Sequence, residues 1–472
     1  MIFIIILSIV YSVLLLPYFV YIFQIKEYRI DRVRAIMKEI GYFRFFFNIS
    51  FKLPAITFRN VLVCFISFLI YMYIYREVLI IRNWPFSLLI VIFTPFIPFF
   101  SVLYSVKLTD IIAYIKRRRV ILQAIQKRGG SKTVFIGITG SFGKTTTKEL
   151  LFTLLSTSFS VKKTDKNMNT DVGVALSIVQ NLKSNTQYFI TEMGAYKRGE
   201  IKTICDFVNP TYGIITGIGN QHLALFGSLN NIITTKAELL NSLPVNGIAY
   251  INKTKGFENF QKQARCHIVS FGTDDSNIEI RKVSEALNPR YEIRYKKNRV
   301  TFNSPLPEQF LLNLLPAIAL SIDLGVSQEK ISHILPDLIQ NLLNQFVKVN
   351  KQGIKIIDSS YNVNVEGFIG IIELMKSFER KNNIIISKGI IELGEEKENS
   401  YNKIISKLND SKMTFFTTDP LFNKLKNKNN IILLDDENQI FSRINSYQPS
   451  ETSLSIVGRF SQKFMKKLLN NN

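Results

Sequence analysis

Hydrophobic residues are distributed in two distinct ways along the chain. Residues 1–110 hold long apolar runs, whereas the remainder alternates short β-rich runs with helical stretches. About 20 apolar residues in a helix cross the hydrocarbon core of a bilayer. We therefore predict three transmembrane helices, the third of them kinked or re-entrant at Pro95 and Pro98, with two spans and one buried globular helix as the alternative. The uncharged runs comprise residues 1–23, 60–75 and 83–106.

Basic residues flank these runs on one side of the expected membrane. Residues 26–59 and 107–128 are rich in Lys and Arg, and the tetrad 116–119 is wholly basic. The positive-inside rule puts both segments in the cytoplasm and leaves the N-terminus and the link 82–85 outside. We predict a multi-pass protein of the inner (plasma) membrane whose remaining domains are cytoplasmic. The tetrad is interpreted as a contact with membrane lipid and not as a nucleic-acid site.

Composition narrows the function further. The 472 residues carry a formal net charge of +23, and residues 1–130 alone hold 17 Lys and Arg against 5 Asp and Glu. A hydrophobic content of 47% is far too high for a disordered chain. Three cysteines without a CxxC pair exclude a disulfide scaffold, a zinc knuckle and a thioredoxin-type site. The excess of basic residues is therefore better explained by a membrane than by nucleic acid.

The alternation after residue 130 is the α/β pattern. We predict a membrane region at 1–115, a central domain at 132–343 and a C-terminal domain at 344–472, with a linker at 129–131. The predicted helices are 144–156 and 310–324. The predicted strands are 133–138, 188–193, 213–218, 355–357, 383–387, 413–417, 430–434 and 453–457.

The strongest chemical signal is the stretch 137–147, Gly-Ile-Thr-Gly-Ser-Phe-Gly-Lys-Thr-Thr-Thr. It follows a predicted strand and opens a predicted helix, which is the setting of a phosphate-binding loop. Lys144 would reach the β- and γ-phosphates, and the Thr145 hydroxyl would ligate Mg²⁺. The general pattern asks for glycine where this chain has Ile138. The predicted ATP contacts are Thr139, Gly140, Ser141, Phe142, Gly143, Lys144, Thr145 and Thr146.

Several motifs follow the loop in a characteristic order. They are an Asn-rich turn, an acidic strand end, a histidine motif, a lysine motif, a helix with Asn313, the opening of the last domain, and a Glu-Leu-Gly turn. The order resembles the Mur ligase family of ATP-dependent amide-bond ligases, and is most similar to the MurF-type members that add D-alanyl-D-alanine to a UDP-muramoyl tripeptide. The remaining motifs occupy residues 167–174, 191–195, 219–228, 236–238, 358–364 and 391–395.

The resemblance implies a fold and a set of site residues. The fold would be α/β, with a P-loop-containing central domain and a Rossmann-like C-terminal domain after the transmembrane helices. In this family the lysine equivalent to Lys236 is often carbamylated. The implied catalytic residues are Lys144, Glu192, His222 and Lys236, and the implied Mg²⁺ ligands are Thr145, Glu192 and His222. Asn313 and Asp358 would contact ATP, and Asn169, Thr170, Tyr361, Asn362 and Asn364 would contact the substrates.

The implied reaction joins an amine to a carboxylate through an acyl phosphate, with ATP and Mg²⁺ as cofactors. The expected acceptor is a cell-wall precursor, and the expected amine is an amino acid or a dipeptide such as D-alanyl-D-alanine. Family members usually begin with a soluble domain that holds UDP. Membrane spans occupy that place here, which suggests a lipid-linked acceptor.

Other departures leave alternatives open. The family's Asn before the histidine motif is Gly217, and its Gly-Arg pair before the C-terminal strand reads 344–346, Asn-Gln-Phe. Because that Arg normally helps to bind ATP, a non-catalytic ATP-binding membrane scaffold is the alternative to a ligase. A transport ATPase is a third reading, although such proteins normally have more spans with buried polar residues.

Overall fold

The structure is a computed structural model that divides into two compact units, residues 1–122 and 123–472. The predicted boundary between a central and a C-terminal domain at 343/344 stays a prediction. The described residues are 2–47, 52–81, 93–94, 96–219, 226–253, 256–284, 288–359, 365–378, 380–390, 393, 396–425 and 430–470.

The first unit is helical and packs around aromatic side chains. Its core contains Phe19, Phe23, Phe45 and Phe99, whose rings are buried. The ring centroids of Phe99 lie 5.5 Å from Phe19, 5.9 Å from Phe23 and 5.7 Å from Phe45. The helices are α1 (Ile2–Ile25), α2 (Ile30–Ile40), α3 (Tyr42–Phe47), α4 (Phe58–Ile81) and α5 (Ile97–Gly129), of which the last continues beyond residue 122.

Two helices in the described residues are long and apolar enough to cross a membrane. They cover Phe58–Glu77 and Ile97–Gly129, and a shorter apolar helix covers Val10–Ile25. The third predicted span falls partly outside the described residues, since 82–92 are not among them. Its helix begins at Ile97 and has Pro98 in the first turn, where a missing N–H costs no hydrogen bond. The predicted interruption near Pro98 is therefore the start of a helix.

Among its described residues, the second unit contains two sheets. The first has nine strands in the order β2-β3-β1-β4-β5-β6-β7-β8-β9, parallel from β2 to β7 and antiparallel in the hairpins β7-β8-β9. The strands are β1 (Val134–Thr139), β2 (Val161–Lys163), β3 (Tyr188–Glu192), β4 (Tyr212–Ile215), β5 (Ile248–Asn252), β6 (His267–Gly272), β7 (Ile278–Lys282), β8 (Arg290–Tyr295) and β9 (Asn298–Asn303). The associated helices are α6 (Lys144–Ser156), α7 (Asp171–Asn181), α8 (Glu200–Val208), α9 (Leu229–Asn241), α10 (Phe257–Gln263), α11 (Glu308–Leu311), α12 (Leu314–Asp323) and α13 (Gln328–Phe346).

The second sheet has six strands in the order β10-β11-β15-β12-β13-β14, all parallel except for β10. Strand β15, the last strand of the described residues, lies between β11 and β12, so the chain after β14 returns across the sheet. The strands are β10 (Val347–Val349), β11 (Lys355–Ser359), β12 (Asn382–Ser387), β13 (Thr414–Thr417), β14 (Ile431–Leu433) and β15 (Thr452–Val457). The helices are α14 (Val365–Lys376), α15 (Lys397–Asn409), α16 (Pro420–Leu425), α17 (Glu437–Ile444) and α18 (Gln462–Asn470).

One predicted element is wrong in a way that matters for the site. The sequence predicted a single helix over 310–324, but α11 ends at Leu311 and α12 begins at Leu314. Pro316 explains the break, because it has no N–H to donate to the carbonyl of Leu312 and is favoured in the first turn of a helix. The break puts Asn313 in a turn between two helices instead of within one.

Candidate active site

Three neighbouring parallel strands bring the candidate site together. The phosphate loop follows β1, Glu192 ends β3, and Thr216 follows β4. In the register of the sheet, Ile138 lies beside Glu192, and Thr139 lies beside Ile215. The carboxyl ends of parallel strands meet at one edge, and β1 is the strand at which the chain changes its direction of winding. The sequence-predicted loop and acidic residue therefore meet where α/β proteins bind ligands.

The phosphate loop has the backbone that its glycines allow. Gly140 has φ +150° and Gly143 has φ +78°, which is the left-handed region that favours glycine. A Cβ at Gly140 would lie 2.1 Å from the Thr216 hydroxyl oxygen. That hydroxyl donates a hydrogen bond to the carbonyl of Phe142, so the segment after β4 holds the loop in shape.

Lys144, at the start of α6, lies against the loop itself. Its Nζ donates to the carbonyl oxygens of Gly140 at 2.8 Å and of Ser141 at 3.3 Å. Burial lowers the pKa of Lys144 from its ordinary value, and the negative charge of Glu192 acts in the opposite direction. The ammonium is therefore already positioned among the groups that would surround a phosphate.

Glu192 is buried and surrounded by donors. The Thr145 hydroxyl lies 3.0 Å from both of its carboxylate oxygens, and the Asn169 amide donates to Oε1 at 3.2 Å. The Lys148 ammonium lies 3.0 Å from Oε2. The backbone N–H of Glu192 donates to the Thr164 hydroxyl at 3.0 Å. The carboxylate is therefore fixed in direction and paired with a positive charge.

A hydroxyl and a carboxylate at this distance fit Mg²⁺. The ion prefers oxygen ligands, keeps several waters and commonly binds through one or two carboxylates together with substrate phosphates. Thr145 and Glu192 are such a pair beside the phosphate loop. The third predicted ligand, His222, lies outside the described residues, and within those residues no group of three or more His, Cys, Asp or Glu could hold a metal.

Lys236 lies on α9 with its side chain buried. Burial lowers the pKa of this lysine to about 7, with a further contribution from the positive charge of Lys144. Glu200 and Glu238 act in the opposite direction, but Glu238 also accepts hydrogen bonds from backbone N–H groups at the start of α8. Near pH 7 about half of the Lys236 amine is therefore in its uncharged form.

Asn313 is brought to the phosphate loop by the break between α11 and α12. A Cβ at Gly143 would lie 2.1 Å from its Oδ1, and the Thr147 hydroxyl lies 3.4 Å from the same atom. The amide therefore lies against the back of the loop and helps to explain why position 143 is glycine.

The other predicted site residues lie in several different parts of the structure. Thr139 donates to the Met193 carbonyl at 2.9 Å, and the Ser141 N–H donates to Gly217 at 2.8 Å, so both lie inside the loop's hydrogen-bond network. Thr146 lies in the first turn of α6.

Thr170 caps α7 by accepting a hydrogen bond from Gly173 N–H at 3.3 Å, which is a structural role. Asp358, at the end of β11, pairs with Lys348 at 3.2 Å. Tyr361, Asn362 and Asn364 lie outside the described residues, as does most of the Glu-Leu-Gly turn.

Phe142 and Gly217 form a pair that the sequence alone did not connect. A Cβ at Gly217 would lie 2.5 Å from Cζ of Phe142 and 2.8 Å from its Cε2. The ring of Phe142 therefore occupies the space that a side chain at 217 would need. The glycine that departs from the family's Asn at this position is explained by the aromatic residue in the phosphate loop.

Lys148 is a residue that the sequence reading missed. It lies one turn after Lys144 on α6, on the face that also buries Leu151 and Leu155. A lysine in an apolar helical face was the available signal, since a buried lysine needs a partner of opposite charge. Its partner, Glu192, is 44 positions away and is brought near only by the sheet.

Comparison with known proteins finds a family model that matches part of the chain. Residues 138–321 match the Mur ligase middle domain. A Bacillus subtilis protein named UDP-N-acetylmuramoyl-tripeptide--D-alanyl-D-alanine ligase is 30% identical over 272 residues, which are 56% of this chain and 58% of that relative. The chain thus spans less than two thirds of the length of this relative.

Solved structures agree with the sequence matches. A MurF ligase from Thermotoga maritima in complex with ADP superposes with a TM-score of 0.62 and 25% identity, over 74% of this chain and 81% of that one. MurF from Acinetobacter baumannii gives a TM-score of 0.63 at 21% identity, over 75% and 79% of the two chains, and this likeness shows the fold alone. The predicted α/β fold class is confirmed.

The Phe142–Gly217 pair gives a direct test of the loop geometry. Gly217→Asn should displace the Phe142 ring and with it the loop carbonyl that Thr216 holds. We expect the variant to bind ATP about tenfold or more weakly, because the loop must distort before it can surround a phosphate. The measurement is the Kd of ATP by isothermal titration in detergent.

The compensating change is Phe142→Ser, which removes the ring. The double variant Gly217→Asn with Phe142→Ser should recover most of the affinity that the single variant loses. Equal Kd values for the single and the double variant would show that the two positions do not interact.

Proposed function

We propose that the chain belongs to the Mur ligase family and is an ATP-dependent, ADP-forming amide-bond ligase of the MurF-like type. The observation that carries the proposal is the joint placement of Lys144, Thr145 and Glu192 at the end of β1 and β3. A cation, a hydroxyl and a carboxylate at that point are the groups that phosphoryl transfer needs for positioning and charge neutralisation.

The proposed reaction has two steps. A carboxylate oxygen of the acceptor attacks the γ-phosphorus of ATP, the bond to ADP breaks, and an acyl phosphate forms. The nitrogen of the amine then attacks the acyl carbon, the bond from carbon to the phosphate oxygen breaks, and inorganic phosphate and a proton leave. The acceptor would be a cell-wall precursor, and the amine an amino acid or a dipeptide such as D-alanyl-D-alanine.

The residues around the phosphate loop would have different roles in this reaction. Lys144 would bind the β- and γ-phosphates, and the backbone N–H groups of the loop with the N-terminus of α6 would hold the remaining oxygens. Glu192 and Thr145 would hold Mg²⁺, which when bound neutralises phosphate charge. Asn169, beside Glu192 at 3.2 Å, would keep that carboxylate oriented while the acceptor carboxylate approaches.

The amine would bind at the carboxyl edge of the second sheet. A crevice of about 520 Å³ opens there and includes Lys388 after β12, Thr418 after β13, and Ser461 after β15. Lys388 donates to Glu437 at 2.8 Å, and the Ser461 N–H donates to the same carboxylate at 2.9 Å. Groups of both charges line the crevice, which supports binding of a ligand that carries both an ammonium and a carboxylate.

The first experiment measures ADP release by the full-length protein in detergent. UDP-muramoyl tripeptide and lipid-linked muramoyl acceptors would each be paired with D-alanyl-D-alanine and with single amino acids. We expect release that requires both an acceptor and an amine. Lys144→Ala should lower the rate about 100- to 1000-fold, because it removes a charge at the transferring phosphoryl group.

Lys132→Ala is the matched control, since Lys132 is exposed just before β1 and outside the loop. Its rate should equal that of the unaltered protein. Tight binding of ATP without release in any pair would contradict the ligase and favour the ATP-binding scaffold. Release that needs a lipid-linked acceptor would assign the helical unit to acceptor recognition.

Carbamylation of Lys236 is a separate expectation. The neutral amine attacks CO₂ to give a carbamate and a proton, and burial lowers the pKa of Lys236 to about 7. The neutral fraction should therefore rise from about one tenth at pH 6 to about nine tenths at pH 8. A carbamate signal in ¹³C NMR with labelled bicarbonate should grow over this range. Lys236→Met, which has no amine, should lack the signal, and its persistence there would contradict the assignment.

We also propose that the first unit anchors the protein in the plasma membrane, with both sheets on the cytoplasmic side. Around Ile111, Ile112, Tyr114 and Ile115 the helix α5 exposes apolar side chains on several faces, and the exposed tetrad 116–119 follows directly. An apolar helical stretch followed by a basic cluster is typical of a segment that leaves the bilayer on the cytoplasmic side.

Membrane anchoring predicts resistance to extraction. After an alkaline carbonate wash, which removes proteins held by surface charge, the full-length protein should stay with the membrane pellet because its apolar helices lie in the hydrocarbon region. The control is a peripheral membrane protein in the same preparation, which the wash should release. Complete release into the supernatant would contradict the spans and leave only a surface contact.

A further inference from the structure

Lys148 is a buried ammonium in direct contact with the proposed metal ligand. Its side chain is fully buried, and Nζ lies 3.0 Å from Oε2 of Glu192. The carboxylate of Glu149 lies farther away, at 3.8 Å. Removing a charged amine from water is costly unless an opposite charge compensates it. The Glu192 carboxylate is therefore the group that stabilises the buried charge of Lys148.

The interaction is one of charge more than of hydrogen bonding. Within the described part of the chain, Nζ of Lys148 makes no hydrogen bond, although it is at contact distance from the carboxylate. The directional contacts to Glu192 come instead from Thr145 and Asn169. Lys148 thus acts on Glu192 mainly through its positive charge, which is felt by any cation that approaches the same oxygens.

The two lysines of α6 differ in their surroundings. Lys144 is half-buried, and its ammonium rests on the carbonyl oxygens of the phosphate loop, where a phosphate would replace them as partner. Lys148, one turn further into the helix, is fully buried on the carboxylate. Lys144 is therefore free to exchange its partners when a nucleotide binds, whereas Lys148 stays with Glu192.

We propose that Lys148 is a positioning residue that weakens binding of a free divalent cation to Glu192 and so makes metal binding depend on the nucleotide. The carboxylate alone carries one negative charge, which Lys148 already compensates. Phosphate oxygens on the other side of the metal supply the missing attraction. The inference rests on the Mg²⁺ site of the proposed function and assigns to that site an order of binding in which metal and nucleotide arrive together.

The test measures binding of Mn²⁺ alone to the full-length protein in detergent, without nucleotide, acceptor or amine. Lys148→Met keeps a chain of similar length and removes the charge. Coulomb's law at about 5 Å and an effective dielectric constant of about 20 predicts that the Kd of Mn²⁺ falls at least about tenfold in this variant. Lys148→Arg keeps the charge and should bind Mn²⁺ as weakly as the unaltered protein. With ATP present the difference between Lys148→Met and the unaltered protein should shrink.

Two further variants show whether the effect passes through Glu192. The double variant Lys148→Met with Glu192→Gln should lose the gain in Mn²⁺ affinity. If Lys148→Met does not fold, Lys148→Gln takes its place under the same criterion, and thermal unfolding in EDTA and in Mn²⁺ is measured in parallel. The neutral variant should be less stable than the unaltered protein in EDTA and should regain more stability on addition of Mn²⁺.

A neutral variant that binds Mn²⁺ no more tightly than the unaltered protein would overturn the proposal, as would a gain that persists in the double variant. These binding measurements involve no turnover. Failure to release ADP would therefore count against the ligase reaction, and an unchanged Mn²⁺ affinity would count against the role of Lys148.

Discussion

The buried carboxylate of Glu192 is the group on which the candidate site depends. It ends β3 directly beside β1, so the strand pairing that builds the sheet also sets its distance from the phosphate loop. Thr145 and Lys148 reach it from α6, and Asn169 reaches it from the turn before α7. A charge buried in this way would destabilise the fold if it had no partners. The partners that stabilise it also hold it beside the phosphate loop, where the proposed metal and phosphate would bind.

The local parts of the site were predictable from the sequence. The helix 144–156 has the predicted bounds, because the glycine before Lys144 and the apolar spacing after it both define a helix start. Contacts between distant segments were not predictable. The ion pair of Lys148 with Glu192 and the packing of Phe142 on Gly217 arise only when β1, β3 and β4 are neighbours. Pro316 indicates the break before α12, but the continuous apolar run around it favoured the prediction of a single helix.

The departures from the family motifs differ in their consequences for the structure. Gly217 is compensated within the chain, since Phe142 fills the space that it leaves. In the crevice beside the second sheet, Lys388 and Ser461 both donate hydrogen bonds to Glu437, so this edge keeps an ordered set of charged groups although its motifs differ.

In the proposed reaction, ATP activates the carboxylate of the acceptor. The most direct test of this activation uses an acceptor whose reacting carboxyl group is labelled with ¹⁸O. The acceptor is incubated with ATP, Mg²⁺, the amine and the full-length protein. Amide formation through an acyl phosphate transfers one labelled oxygen from the carboxyl group to inorganic phosphate, which mass spectrometry detects. We expect one ¹⁸O atom in the phosphate for each amide formed. Inorganic phosphate that carries no label while ADP accumulates would mean that water attacks ATP, and would contradict the ligase.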